Sequence, residues 1–337
     1  NVFDIQQGVA IGIFVKHPLR SSGHESAQTK VSRLKPVVTE KPSAIVRHCD
    51  LWGARRQTKY DWLDKNQIES TKWTKLAPAA PHYLFIPQDT KRLKEYERGW
   101  KVTEMMPVNG VGMTTARDHF VTDFDKQPLV LRARKFRDSN ETDSRLCQIL
   151  GISEKQGWNI AAARKSLAGE ADLELFIKPI LYRPFDQRFI FYHDSLVWRT
   201  VKHVMQHVKP KENIGLITSR SVEIGEGWEH VFSTTQMIQH HSMSLKEVNY
   251  LFPIYLYPNG KLPEEDLFAH DNARRPNLSA EFIKAFCAKL RVKFVPDGLG
   301  RPGKREIGPE LIFHYAYAVF HSPTYRERYA EFLRADF

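Results

Sequence analysis

Cysteine is scarce: Cys49, Cys147 and Cys287 are the only three, and they lie far apart. An odd, scattered set builds neither a disulfide framework nor a CxxC metal knuckle, and it fits a reducing cytoplasm. No run of about 18 uninterrupted apolar residues occurs, so a membrane-spanning helix is excluded by length. An initiator Met and a signal peptide are also missing. Asn-Val-Phe-Asp-Ile at positions 1 to 5 runs straight into a strand-like pattern, so the chain reads as cut from something longer.

Catalytic signatures are equally sparse. There is no GxSxG elbow. Adenine methylation needs a glycine-rich cofactor loop and an Asn-Pro-Pro-Tyr-type tetrapeptide to hold a flipped base, and neither occurs. Gly298-Leu-Gly300-Arg-Pro-Gly303-Lys304 matches GxGxxG and most of a phosphate loop. However, Arg305 stands where Ser or Thr would hold magnesium, Pro302 lacks an N–H, and Gly308 and Pro309 interrupt the helix that a dinucleotide loop would start at once. A basic surface turn is the better reading. His203 and His207 have the i, i+4 spacing of a metal pair but no evident third ligand, and read as extending a basic helix face. His240 and His241 are adjacent, and adjacent side chains diverge on a regular element. Asp123, Asp125 and Lys126 superficially resemble nuclease carboxylates with a lysine, but such clusters are common in loops.

What is present is bulk and positive charge. The 337 residues are 42% hydrophobic, enough for substantial cores in a soluble protein of two lobes. Lys and Arg outnumber Asp and Glu by 50 to 39, a formal charge of +11. Such a surplus suits a polyanionic partner, because each cation set against a phosphate releases counterions; scattered solvated charge explains it about as well.

The pattern along the chain is α+β. Residues 2–16 read as a buried strand or hairpin, 17–35 as a solvated loop, 44–48 as a second strand and 53–65 as a helix that presents Arg55, Arg56 and Lys59 on one face. A strand over Tyr83–Ile86 comes next, with a lobe boundary near residue 80, giving lobes of 1–80 and 81–337. Residues 128–170 read as mostly helical, with Leu129, Phe136, Leu146 and Ile149 as one apolar stripe. Short strands are expected at 176–181, 188–192, 214–219 and 250–257. A helix is expected over Val197–Val208, and three more at 280–290, 309–320 and 323–333.

The segment from Tyr182 to Tyr192 interleaves Arg183 and Arg188 with aromatics and carries Asp186 and Gln187. Arg can bridge guanine, Gln can pair with adenine and Asp can accept from cytosine, so the mixture has the vocabulary of base readout. The structural alternative is an Arg183–Asp186 ion pair with Phe185, Phe189 and Phe191 in the core; for Asp186 and Phe185 we favour it. Arg199, Lys202 and Arg220 lean towards phosphate or base contact. Thr218-Ser219-Arg220 at a strand end suits phosphate, though a hydrogen-bonded turn fits nearly as well; Thr114-Thr115-Ala116-Arg117 has the same character.

Several segments together resemble the type ISP restriction-modification enzymes, single polypeptides that join a nuclease, an ATP-driven translocase, an adenine methyltransferase and a target-recognition domain. They are VFDIQQGVAIGIFVK, DLWGARRQTKYDWL, PHYLFIPQD, GWKVTEMMPVNGVGMTTARD, LYRPFDQRFIFY, NIGLITSR and YAVFHSPTYRERYAEFLRADF. The resemblance implies that residues 1–80 are the tail of the methyltransferase domain and 81–337 the DNA target-recognition domain. The implied partners are double-stranded DNA and the remaining domains of the parent polypeptide, with no membrane. It implies no catalytic, cofactor-binding or metal residue in this chain; S-adenosylmethionine, ATP and magnesium belong to the parent. The expectation is a module that binds duplex DNA through a basic concave face. The rivals are a stand-alone nuclease or nucleotide-dependent enzyme, and a basic scaffold for an acidic protein.

Overall fold

The computed structural model describes residues 45–78, 83–154, 157–208, 213–220, 222, 227–258 and 274–333. The expected strand over 2–16 and loop over 17–35 lie outside them. The chain divides into two compact units, Asn1–Asp89 and Thr90–Phe337.

In the first unit, strand β1 (Val46–His48) pairs antiparallel with β2 (Thr74–Leu76), Val46 opposite Leu76. The connection carries a wide helical turn, Arg55–Tyr60, that runs into an α-helix, Asp61–Lys65. The loop after this helix is tied by side chains to main-chain carbonyls: Asn66 Nδ2 donates to Trp62 at 2.7 Å and Trp73 Nε1 to Ile68 at 2.7 Å. The strand expected at Tyr83–Ile86 is absent. Those residues form an irregular turn in which Tyr83, Phe85 and Ile86 are all more than half exposed. A short apolar run forms a strand only where a neighbouring edge takes up its N–H and C=O groups, and among the described residues none does.

The second unit is built on two four-stranded sheets. The strands of these two sheets are β3 (Gly110–Val111), β4 (Thr122–Asp123), β5 (Ile177–Arg183), β6 (Asp186–Phe191), β7 (Gly215–Ser219), β8 (Val231–Thr234), β9 (Met237–Ile238) and β10 (Asn249–Pro253). One sheet has the order β3-β10-β7-β8 and the other β4-β6-β5-β9. All pairings in the first are antiparallel; in the second, only β5 with β9 is parallel.

The β3-β10-β7-β8 sheet separates two hydrophobic cores. Successive side chains on a strand point to opposite faces. Accordingly Ile217 and Leu251 enter a core with Phe120, Leu129, Phe136, Leu146, Ile180 and Ile190, whereas Leu216 and Phe252 enter one with Met106, Trp228, Tyr255, Phe282, Ile312 and Phe320. Burial on both faces explains why Ile214–Ile217 (IGLI) is an unbroken apolar run instead of an alternating one. Every residue of β7 is buried.

Helices close both cores. The expected helical region after residue 128 resolves into Lys126–Arg137, Asp143–Leu150 and Ile160–Ala168. Thr142 caps the second by accepting from Arg145 N at 3.3 Å, and Asn159 caps the third by accepting from Ala162 N at 2.9 Å. Of the expected apolar stripe, Leu129, Phe136 and Leu146 are buried, but Ile149 is 45% exposed. Helix Ala280–Leu290 is capped by Ser279, and Pro309 opens the helix Pro309–Phe320. The helix expected over Val197–Val208 begins only at Lys202, because Val201 adopts a left-handed conformation with φ 48°. The α+β class read from the sequence is the class of the fold.

The Gly298–Lys304 loop is a surface turn folded on itself. Gly308 N donates to Leu299 O, Glu310 N to Gly298 O, and Gly298 N to the Tyr255 hydroxyl at 2.8 Å. At Gly300, φ 78° and backbone atoms of Ile307 and Gly308 within 2.8 Å of any added Cβ explain the glycine. Pro302, which has no N–H, opens a single 3-10 turn, Pro302–Lys304, where a phosphate loop would start an α-helix.

Candidate nucleic-acid interface

Strands β5 and β6 form a hairpin whose inner half is core and whose tip is not. Ile180 lies opposite Arg188 and Lys178 opposite Ile190, so Arg188 continues towards the tip the same face that Ile180 and Ile190 bury at the base. A register irregularity between Leu181 and Arg183 puts Tyr182 out of step, and the chain turns through Pro184 and Phe185.

At this tip, cations and rings alternate. The Arg183 guanidinium lies 4.3 Å from the Tyr182 ring, and the Arg188 guanidinium 4.1 Å from the same ring and 4.4 Å from that of Phe124. Stacking of this kind fixes the plane of a guanidinium that would otherwise lose much rotamer freedom on binding. Asp186 holds Arg188 further, accepting from Nε at 3.0 and 3.1 Å and from Nη2 at 2.8 Å, and this hydrogen bonding raises the Arg188 pKa above its usual value. The Tyr182 hydroxyl donates to Asp118 at 2.5 Å; burial, with Asp118 beside it, raises the Tyr182 pKa and keeps the phenol protonated.

The expected Arg183–Asp186 ion pair is not made. Asp186 binds Arg188 instead, and Arg183 donates to Gln239 Oε1 at 3.1 Å and to Tyr182 O at 2.6 Å. Phe185, expected in the core, is 92% exposed and meets the edge of Phe232, with ring centroids 6.3 Å apart. The signal for its exposure was in the sequence: Phe185 falls between the two expected strands, where a hairpin connection lies on the surface.

Gln239 links the tip to a second basic segment. Residues 112–114 run as a strip with Met113 paired to Gln239 on one side and Thr114 to Arg199 on the other; Thr114 and Arg199 exchange two main-chain hydrogen bonds of 3.0 Å. Gly112 permits the approach, since a Cβ there would meet the Gln239 backbone at 2.6 Å. Arg199 is exposed and stacks on Trp198 at 4.6 Å, while Lys202 pairs with Asp194. Beyond it, an open groove of about 680 Å³ is lined by Asn109, His203, Gln206, His207, Tyr257 and Arg275, among others.

A family model described as the Type ISP C-terminal specificity domain matches residues 104–337. The chain belongs to this family. The chain is similar in fold to part of a solved DrdV–DNA complex, with 21% identity and a TM-score of 0.57 over 84% of this chain and 27% of that one. It is similar also to part of a nuclease-deletion mutant of the Type ISP restriction-modification enzyme LlaGI in complex with a DNA substrate mimic, with 15% identity and a TM-score of 0.54 over 88% of this chain and 26% of that one. The chain thus spans about a quarter of the length of these two structures. No curated protein matches.

Within the specificity domain, the sequence-derived candidates fall into distinct settings. Arg183, Gln187 and Arg188 share the hairpin tip, with Gln187 exposed. Arg199 and Lys202 share the second segment. Arg220 is exposed at the end of β7, its guanidinium 5.9 Å from the Tyr250 ring. Arg117 is turned inward: only 6% exposed, it stacks on Trp158 at 3.8 Å and donates to Leu196 O at 3.3 Å, and burial lowers its pKa. Thr115, Thr218 and Ser219 are also buried, which removes their hydroxyls from any phosphate. In the N-terminal unit, Arg55, Arg56 and Lys59 all lie on the helical turn Arg55–Tyr60, with Lys59 partly buried.

The histidine readings change as well. His203 is exposed, but His207 is buried; its Nδ1 accepts from Tyr257 N at 3.1 Å, and burial lowers its pKa, so it is no part of a basic face. His240 and His241 do not diverge; their ring centroids are 4.0 Å apart. Asp123 is spent on Arg132. Among the described residues, no group of His, Cys, Asp and Glu is placed to hold a metal, and no helix is long and apolar enough to cross a membrane.

Proposed function

We propose that this specificity domain binds double-stranded DNA in a sequence-dependent way through the surface formed by the β5–β6 tip and the Arg199–Lys202 segment. The observation that carries the reading is the fixed Arg183–Tyr182–Arg188–Phe124 column at an exposed hairpin tip, which positions guanidiniums before any ligand arrives. A two-stranded ribbon fits the major groove, where arginine and glutamine read base edges, while cations such as Arg199 and Lys202 suit the phosphates. The net charge of +11 supplies the salt-dependent part of the affinity. The two similar structures, a DrdV–DNA complex and LlaGI with a DNA substrate mimic, agree with the reading.

In this reading the chain is the recognising part of a larger cytoplasmic restriction-modification polypeptide. The other domains of the parent would use S-adenosylmethionine to methylate adenine, and ATP with magnesium to translocate and cleave; this chain would contribute neither cofactor site. The remaining parent domains and duplex DNA are its partners, and the methyltransferase-derived part is residues 1–80, followed by the recognition domain, 81–337.

The test is selection of a randomised duplex pool by the purified chain at two salt concentrations, followed by sequencing of the bound fraction. One short asymmetric site should be enriched. Arg199→Ala should lower affinity about equally for all sequences and flatten the plot of log K against log salt by about one unit, whereas Arg183→Ala should relax the preference at one position. Binding without enrichment in the wild-type chain would reduce the surface to a generic polycation.

A further inference from the structure

Phe185 contributes little to the fold that displays it. It is 92% exposed, its ring meets the fold edge-on at Phe232, and its φ of 61° is a left-handed conformation that glycine or asparagine adopts more easily. A bulky aromatic in a strained, exposed position costs folding free energy and returns almost none, which points to a role outside the fold. Its setting narrows that role. Phe185 stands at the extremity of a turn between Arg183 and Asp186, flanked by the stacked Arg183 and Arg188 and the exposed Gln187. A partner reaching this tip meets an apolar wedge beside two ring-stacked guanidiniums, one of them paired with the Asp186 carboxylate, and the exposed Gln187 amide. A protein surface would bury the donors at a cost, whereas a duplex offers phosphates and base edges for the donors and a base stack for the ring.

We infer that Phe185 is a DNA wedge: entering with the hairpin tip, its ring inserts into the base stack and holds open a locally unstacked step. This rests on the DNA-binding reading above. Apolar side chains inserted between base steps kink duplexes in this manner, and ring-on-base stacking offsets the cost of parting the bases.

The full chain is tested on duplexes that carry the site it enriches from the randomised pool, with 2-aminopurine substituted in turn for each adenine of the site. This base brightens when it is unstacked. Wild type at saturation should brighten one position several-fold. Phe185→Ala should abolish that signal and weaken binding by about tenfold, with the salt slope unchanged, and Phe185→Trp should retain both. If wild type binds its site without brightening any position, or Phe185→Ala matches it in fluorescence and affinity, the wedge is overturned while the DNA-binding reading stands. If the pool yields no enriched site, both fall together. Because Phe185 packs against so little, an unchanged melting temperature for Phe185→Ala will separate loss of the wedge from loss of fold.

Discussion

The two sheets of the second unit spend their residues differently. In β3-β10-β7-β8, both faces are claimed by cores, and even Thr218, Ser219 and Asn249 are fully buried. In β4-β6-β5-β9, burial holds at the base of the β5–β6 hairpin, at Ile180, Ile190 and Phe191, and ends within a few residues at Arg183, Phe185 and Gln187. The same pleated geometry thus serves two purposes. Where both faces pack, each side chain is constrained by volume; where neither does, identity is free to be set by a ligand.

Substitutions at paired phenylalanines should sharpen the contrast most. Phe252→Ala, at a fully buried position, should cost about 3–5 kcal/mol, read as a lowered denaturant midpoint, while Phe185→Ala should change stability by less than about 0.5 kcal/mol. Comparable losses at both sites would break the distinction.

Gly112→Ala should come next. The new methyl would strike the Gln239 backbone and force the strip from its neighbours, costing about 1–3 kcal/mol by the same measurement. It should also weaken DNA binding, because Gln239 steadies Arg183.

Tyr182→Phe removes one hydrogen bond to Asp118 while keeping the ring between the two arginines, so a loss of about 1 kcal/mol is expected, with DNA affinity nearly intact. A large loss of affinity would make the hydroxyl, not the stacked ring, the important part of the column.

The smallest effect is a dependence on pH. Burial lowers the pKa of His207 and of His240, so the folded chain binds fewer protons than the unfolded one between the depressed values and the ordinary histidine value of about 6.5. Their contribution is complete above that value and is lost as pH falls below it. Thermal melts from pH 7.5 down to pH 5 should show declining stability. His207→Gln should start lower at pH 7.5 and decline less steeply; a wild-type curve flat through that range would contradict the burial of these rings.

Much of this was legible in the residues. β7 and the helices Ala280–Leu290 and Pro309–Phe320 follow from apolar runs with Ser279 and Pro309 at the starts. The hairpin was legible as an Arg-aromatic segment between two strands, and its sequence, with others, carried the family resemblance. The partners inside it were not. Asp186 could bond Arg183 or Arg188 at similar sequence separation, and only the register and the displaced Tyr182 decide between them. Long-range pairing was equally hidden: nothing near Arg117 in sequence announces Trp158, and nothing near Thr114 announces Arg199. The overestimate at Tyr83–Ile86 has the converse cause, since local composition says which residues tolerate a strand and not whether an edge is there to receive one.

The wall shared by the two cores has a consequence for how this domain melts. Leu216 and Ile217 are neighbours in sequence, yet they belong to opposite cores, and so do Leu251 and Phe252. Neither core can come apart without stripping one side of a wall that the other still needs. Fluorescence from Trp158 on one side and Trp228 on the other should therefore report one cooperative transition at one temperature, with no half-melted species between them.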